Sequence, residues 1–124
     1  MPVTLETAPL LFAIGGAGYV MIELLWRKRS HVSMFLAGGT CLILMLYLHN
    51  GPMPFVVKCL LGGLAVTAVE FILGCVVNLW LKLDVWDYSH MKLNVLGQVC
   101  LLYFVLWCGL SAAVLGLLGL IIAN

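Results

Sequence analysis

Charge is what this sequence has least of. Of 124 residues, six are Lys or Arg and five are Asp or Glu, 9% of the chain with a net charge of +1, against about 25% in soluble domains. Hydrophobic residues supply 65% and mean hydropathy is +1.18, more apolar surface than a small water-soluble fold can hide. So few charges exclude the basic face that nucleic acid requires, and no Gly-rich turn ending in Lys is present to cradle phosphates. Closely spaced cysteines are missing too. Cys41, Cys59, Cys75, Cys100 and Cys108 lie singly within apolar runs, which suits small core hydrophobes rather than zinc or dithiol chemistry. No Ser or Cys nucleophile stands near a base at a recognisable spacing, so no enzyme, cofactor or metal centre is expected. The N-terminus lacks the positive segment of a cleaved leader, and its first apolar run ends in Arg27-Lys28-Arg29; the first helix is expected to be retained.

What the chain does have is hydrophobic runs long enough to cross a bilayer, each of roughly 20 residues or more. They cover about 8–26, 32–48, 55–81 and 95–123, separated by the basic stretch 27–31, the breaker Asn50-Gly51-Pro52-Met53-Pro54, and the polar stretch 82–94. Each proline of the breaker lacks a donor and has a fixed φ. The expectation is a single all-α membrane domain, residues 1–124, of four transmembrane helices in two hairpins. The third and fourth runs exceed a hydrocarbon core of about 30 Å and must tilt, kink or enter the interface. Five of the six basic residues flank the first and third loops, with Lys58 alone on the other side. The positive-inside rule then places loops 27–31 and 82–94 in the cytoplasm and both termini outside. Trp26, Trp80, Trp86 and Tyr88 are expected to mark the cytoplasmic boundary, where amphipathic rings prefer to sit.

An internal parallel repeat is a candidate. Gly15-Gly16 precedes Glu23 as Gly62-Gly63 precedes Glu70, and Ser30-His31 with Gly38, Cys41 and Leu42 parallels Ser89-His90 with Gly97, Cys100 and Leu101. The two blocks have different offsets, and chance repetition of common residues is the competing account. A true duplication relates the hairpins by an axis along the membrane normal.

Carboxylates in an apolar span need a reason. A central Asp costs about 2.5–3.5 kcal/mol on insertion scales, while a Leu or Phe returns only about 0.3–0.6 kcal/mol. Glu70 lies deep in the third run with Thr67, Gly74 and Asn78 near the same helical stripe, which should face the bundle interior. It serves either as a neutral acid bonded to a neighbouring helix or as a group that binds and releases a proton. Glu23 is positioned for an i,i+4 pair with Arg27, or, if the halves are duplicated, for proton sharing with Glu70. The segment Trp86-Asp87-Tyr88-Ser89-His90 reads as an interfacial anchor in which Asp87 pairs with Arg27 or Lys28. His31 and His90 could titrate near neutral pH but read more simply as loop residues.

Glu70-x3-Gly74, Trp86-Asp87-Tyr88-Ser89, Leu93-Asn94-x2-Gly97-Gln98-x-Cys100-Leu101 and Trp107, with Gly18-x4-Glu23 upstream, resemble the CmpB-type ABC-transporter permease family of small bacterial membrane proteins. The resemblance implies a multi-pass transport permease of the inner membrane, with an ATPase or other membrane subunit as partner. A permease driven by an ATPase needs a cytoplasmic element to receive its stroke, and only the third loop is long enough. Four helices enclose little volume, so a homodimer with polar residues lining the pathway is expected. The competing classes are a small proton-coupled multidrug exporter or ion channel, and a non-transporting protein that docks a partner through residues 82–92.

Overall fold

A computed structural model describes residues 4, 6–28 and 31–121, apart from the side chain of Arg27. Among the described residues there are four long helices and no strands: α1 (Ala8–Arg27), α2 (Val32–Asn50), α3 (Phe55–Gly74), which continues as a wider π-helical stretch over Cys75–Trp80, and α4 (Leu101–Ile121). All four are long and apolar enough to span a membrane. The first three match their expected runs closely. The fourth does not: α4 begins at Leu101 rather than near residue 95, because residues 81–100 form a folded loop that uses apolar side chains for its own core.

The helix ends follow local chemistry. Pro9 opens α1 where no donor is needed. The His31 imidazole caps α2 by accepting from the Ser33 amide at 3.1 Å. The chain breaks at Asn50–Pro54, where the Lys58 ammonium donates to the His49 carbonyl at 2.9 Å and so satisfies a carbonyl exposed at the end of α2.

Close backbone approach holds each hairpin together. A Cβ placed on Gly15 or Gly38 would collide with the backbone oxygen of the other, and one on Gly39 would meet the Phe12 ring at 2.6 Å. In the second hairpin, a Cβ on Gly63 would reach the Cys108 backbone nitrogen at 2.9 Å, and one on Gly62 would reach the fully buried Ser111. Lipid tails are as apolar as the helices, so contact of this kind rather than the hydrophobic effect drives their association. The Gly-Gly doublets of the candidate repeat therefore do equivalent work in both hairpins. The second block does not match: Gly38 is a helical packing residue, whereas Gly97 sits in a loop at φ +73°. Central α2 joins the hairpins through a core of its Cys41 and Met45 with Val66 of α3 and Leu115 of α4. A second core of Tyr19, Met34, Ala37, Val77, Val85 and Trp86 gathers both polar loops at one end of the bundle.

Replacing Gly63 with Leu should lower stability in detergent by about 1–3 kcal/mol, the range for overpacking a filled site. Gly116→Ala, where nothing lies within 4 Å of the added methyl, should be neutral or gain up to about 1 kcal/mol from helix propensity. Thermal unfolding followed by circular dichroism distinguishes the two.

Candidate functional site

The site is built from the last turns of α3. From Cys75 the helix widens: Leu81 donates its amide to the Val76 carbonyl, five residues back, at 2.9 Å, and Leu83 donates to Val77 at 2.8 Å. Lys82 and Asp84 then adopt left-handed φ values of 56° and 52°, reversing the chain so that it runs back along α3. This widening turns Asn78 toward the returning loop. Its Oδ1 accepts from the Val85 amide at 2.7 Å and the Trp86 amide at 3.4 Å, and its Nδ2 donates to Gln98 Oε1 at 2.7 Å. The Trp86 indole donates to the Gln98 carbonyl at 2.9 Å, and Gln98 Nε2 to the Leu96 carbonyl at 2.9 Å. Gln98 and Trp86 are both buried against Gly74, where a Cβ would come within 2.6 Å of Gln98 and 2.9 Å of the Trp86 ring. Only glycine lets the loop lie so close to the helix.

The remaining motif residues close the loop on itself. Asp87 accepts from the Ser89 amide at 2.8 Å, Asn94 donates to the Met91 carbonyl at 2.9 Å and accepts from the Gly97 amide at 3.0 Å, and Tyr88 donates its amide to the Gly97 carbonyl at 2.7 Å. Hydrogen bonds from Ser89 hold the exposed Asp87 carboxyl below its ordinary pKa. The expected pairing of Asp87 with basic loop residues takes a different form. Its partner is Ser89, no bond to Lys28 occurs among the described residues, and Arg27's side chain lies outside them. The aromatic belt also divides. Trp26 and Trp80 are 74% and 77% exposed, as anchors should be, but Trp86 is 4% exposed, folded inward because its N–H has a carbonyl to bond.

About one turn below the packing point at Gly74 is Glu70, 5% exposed. The Trp107 indole of α4 donates to its Oε2 at 2.7 Å, and the Tyr88 hydroxyl of the loop donates to the same carboxyl. Burial, then the charge of Glu70 and this hydrogen bond, push the Tyr88 phenol well above its usual pKa, so it remains a donor. Tyr88 stacks on Tyr103 with centroids 4.7 Å apart and planes 10° apart, and Trp107 is flanked by Tyr103 and Tyr19 at 5.9 and 6.0 Å. Glu70 is thus a carboxyl in an aromatic surround, tying α3 to α4 and to the loop. Tyr103 and Tyr19 escaped the sequence reading; the i,i+4 spacing of Tyr103 and Trp107, which puts both on one face of α4, was the available signal.

The other candidates lie elsewhere. Thr67 donates to the Gly63 carbonyl of its own helix at 2.8 Å, and Asn78 belongs to the loop latch. Glu23 is buried on α1; the expected pair with the Arg27 side chain lies outside the described residues. Gly15 sits against Gly38 and Gly62 against Leu48, so eight residues on, Glu23 is level with the start of α2 and Glu70 with its middle. That offset of about ten residues is ~15 Å of helix rise, too far for the two carboxyls to share a proton. A cavity of about 320 Å³ lies between α1 and α4, lined by Ile14, Gly18, Tyr19, Trp107, Leu110 and Leu117 among others. Its walls are almost wholly apolar, and the Trp107 ring separates it from Glu70.

These features define a multi-pass helical membrane protein with a folded polar loop latched to a buried carboxyl. Residues 10–124 match the family described as "Putative ABC-transporter type IV", and the chain belongs to that family. No curated protein and no solved structure matches it.

Asn78→Leu, which leaves the Val85 amide and Gln98 without their partner, should cost about 1–3 kcal/mol and appear as faster amide exchange confined to residues 81–100. Asp87 has a folded pKa below its ordinary value of 3.8. Its support for the loop is complete above that value and is lost as pH falls through the lower folded pKa. The Asp87 carboxyl-carbon shift followed by NMR should therefore move only below about pH 4, and Asp87→Asn should remove that titration.

Proposed function

We propose that this chain is a permease subunit of a bacterial inner-membrane transporter, in which the loop 81–100 receives a conformational stroke from an ATPase partner and Glu70 passes it to the helices. The observation that carries this reading is the three-way contact at Glu70. A rigid loop, itself latched by Asn78 and Gln98, grips through Tyr88 the same carboxyl that Trp107 of α4 grips. A push on the loop is thereby transmitted to both helices of the second hairpin. Lys28, Lys82 and Lys92 lie at this end of the bundle, which favours a cytoplasmic orientation for the loop, with both termini outside. The outer face of α4 carries Gly109 and Gly116 with open space around them, which suits a homodimer whose pathway forms between subunits.

A second reading draws on the burial of Glu70 itself: a proton-coupled exporter in which this carboxyl titrates as it is alternately hydrated and dried. The two differ in what the chain does alone. Photo-crosslinking in cells from His90 and Leu93 should trap a nucleotide-binding subunit, and Asn78→Leu, which loosens the loop, should reduce the adduct several-fold. Adducts only with lipid or with further copies of this chain would overturn the permease reading. Proton uptake into vesicles by the chain alone, abolished by Glu70→Gln, would put the exporter in its place.

A further inference from the structure

The polar end of the molecule holds a second concavity, separate from the apolar cavity between α1 and α4. It has a volume of about 350 Å³, with Trp86, Tyr88, Tyr103 and Met91 as walls and Asp84, Asp87 and His90 at its edge. That volume falls within the range of about 300–1,000 Å³ typical of small-molecule sites. Its chemistry is that of an aromatic wall facing negative charge. Tyr88 and Tyr103, stacked nearly parallel, both line it, and aromatic rings attract cations through the negative lobe of their quadrupole. Asp87 is exposed and, through its bonds to Ser89, ionised well below neutral pH; Asp84 is exposed beside it. Lys82 and Lys92 are not among the lining residues, which leaves His90 as the one basic side chain there. A metal ion fits poorly: no group of three or more His, Cys, Asp or Glu side chains among the described residues is placed to hold one. The cleft is also preformed, because the bonds of Asn78, Gln98, Asn94 and the Trp86 indole fix the loop that makes it, so little ordering is needed on binding.

From this arrangement we infer that the cleft binds a small organic cation bearing an alkylated ammonium group, its methyl groups against the aromatic side chains and its charge toward Asp84 and Asp87. The site deepens the permease reading by naming a ligand class, and rests on it only for the claim that the ligand is cargo. Tyr88 belongs both to the cleft wall and to the Glu70 contact, so an occupant touches the ring that holds the buried carboxyl.

The test is equilibrium binding to the purified full chain in maltoside micelles, which carry no ammonium headgroups, at constant ionic strength. Tetramethylammonium and choline should quench the intrinsic Trp and Tyr fluorescence saturably, with affinities in the millimolar range or tighter. The neutral isostere 3,3-dimethylbutan-1-ol should not, and magnesium should not compete beyond its effect on ionic strength. Asp84→Asn with Asp87→Asn, or Tyr103→Leu alone, should weaken binding about tenfold, the scale of one lost cation–π or charge contact. Absence of saturable quenching by a chain of native helix content, equal binding of the neutral isostere, or equal competition by magnesium would overturn the proposal. The isostere comparison uses the unaltered chain and does not depend on any variant folding. Cation binding without a crosslinked ATPase subunit would uphold this site and reject the permease reading; a crosslinked subunit without cation binding would do the reverse.

Discussion

A carboxyl group within an apolar helix must find donors inside the protein, since lipid offers none. Glu70 finds them in an indole from α4 and a phenol from the loop, and much of the architecture follows from delivering those two groups. Trp107 can reach Glu70 only if α3 and α4 run close together, which the bare glycines at 62 and 63 permit. Tyr88 can reach it only if residues 81–100 fold back along α3. That reversal in turn depends on the widening at Cys75–Trp80, the left-handed turns at Lys82 and Asp84, and the missing side chain at Gly74. An acid that would otherwise oppose insertion thus becomes a point where three segments of the chain meet.

The two hairpins solve the same packing problem and then diverge. In each, a Gly-Gly doublet lets the first helix press against the second, and a buried Glu follows seven residues later. In the first hairpin the connection is a short basic turn and its Glu sits near the helix end. In the second, 20 residues of folded loop intervene and the Glu lies deep enough to need partners from two directions. Common hairpin geometry with an elaborated second loop accounts for why the doublets correspond in space while the Ser-His-to-Cys blocks do not. Gly38 is helical and Gly97 is not.

Trp86, which reads as a surface anchor, is an internal fastener. Trp86, Asn78, Gln98 and Asn94 bond mainly to backbone groups of the loop, so they shape the segment that carries the transport reading rather than line a pathway. The cavity between α1 and α4 is apolar.

Hydropathy and breakers were enough to locate four spans, their antiparallel order and the exceptional position of Glu70, because each rests on local composition: apolar runs of bilayer length, prolines that cannot donate, one acid where nearly every neighbour is apolar. The start of α4 was not legible, since Val99 and Cys100 are as hydrophobic as a helix would require and are spent on the core of the loop. Nor was the partnership of Glu70 with Tyr88 and Trp107, which lie 18 and 37 positions away. Contacts at such separations depend on how α3 widens and how far the chain turns back, and those are settled by the competition among many backbone and side-chain bonds at once. Only the tertiary structure brings these groups together.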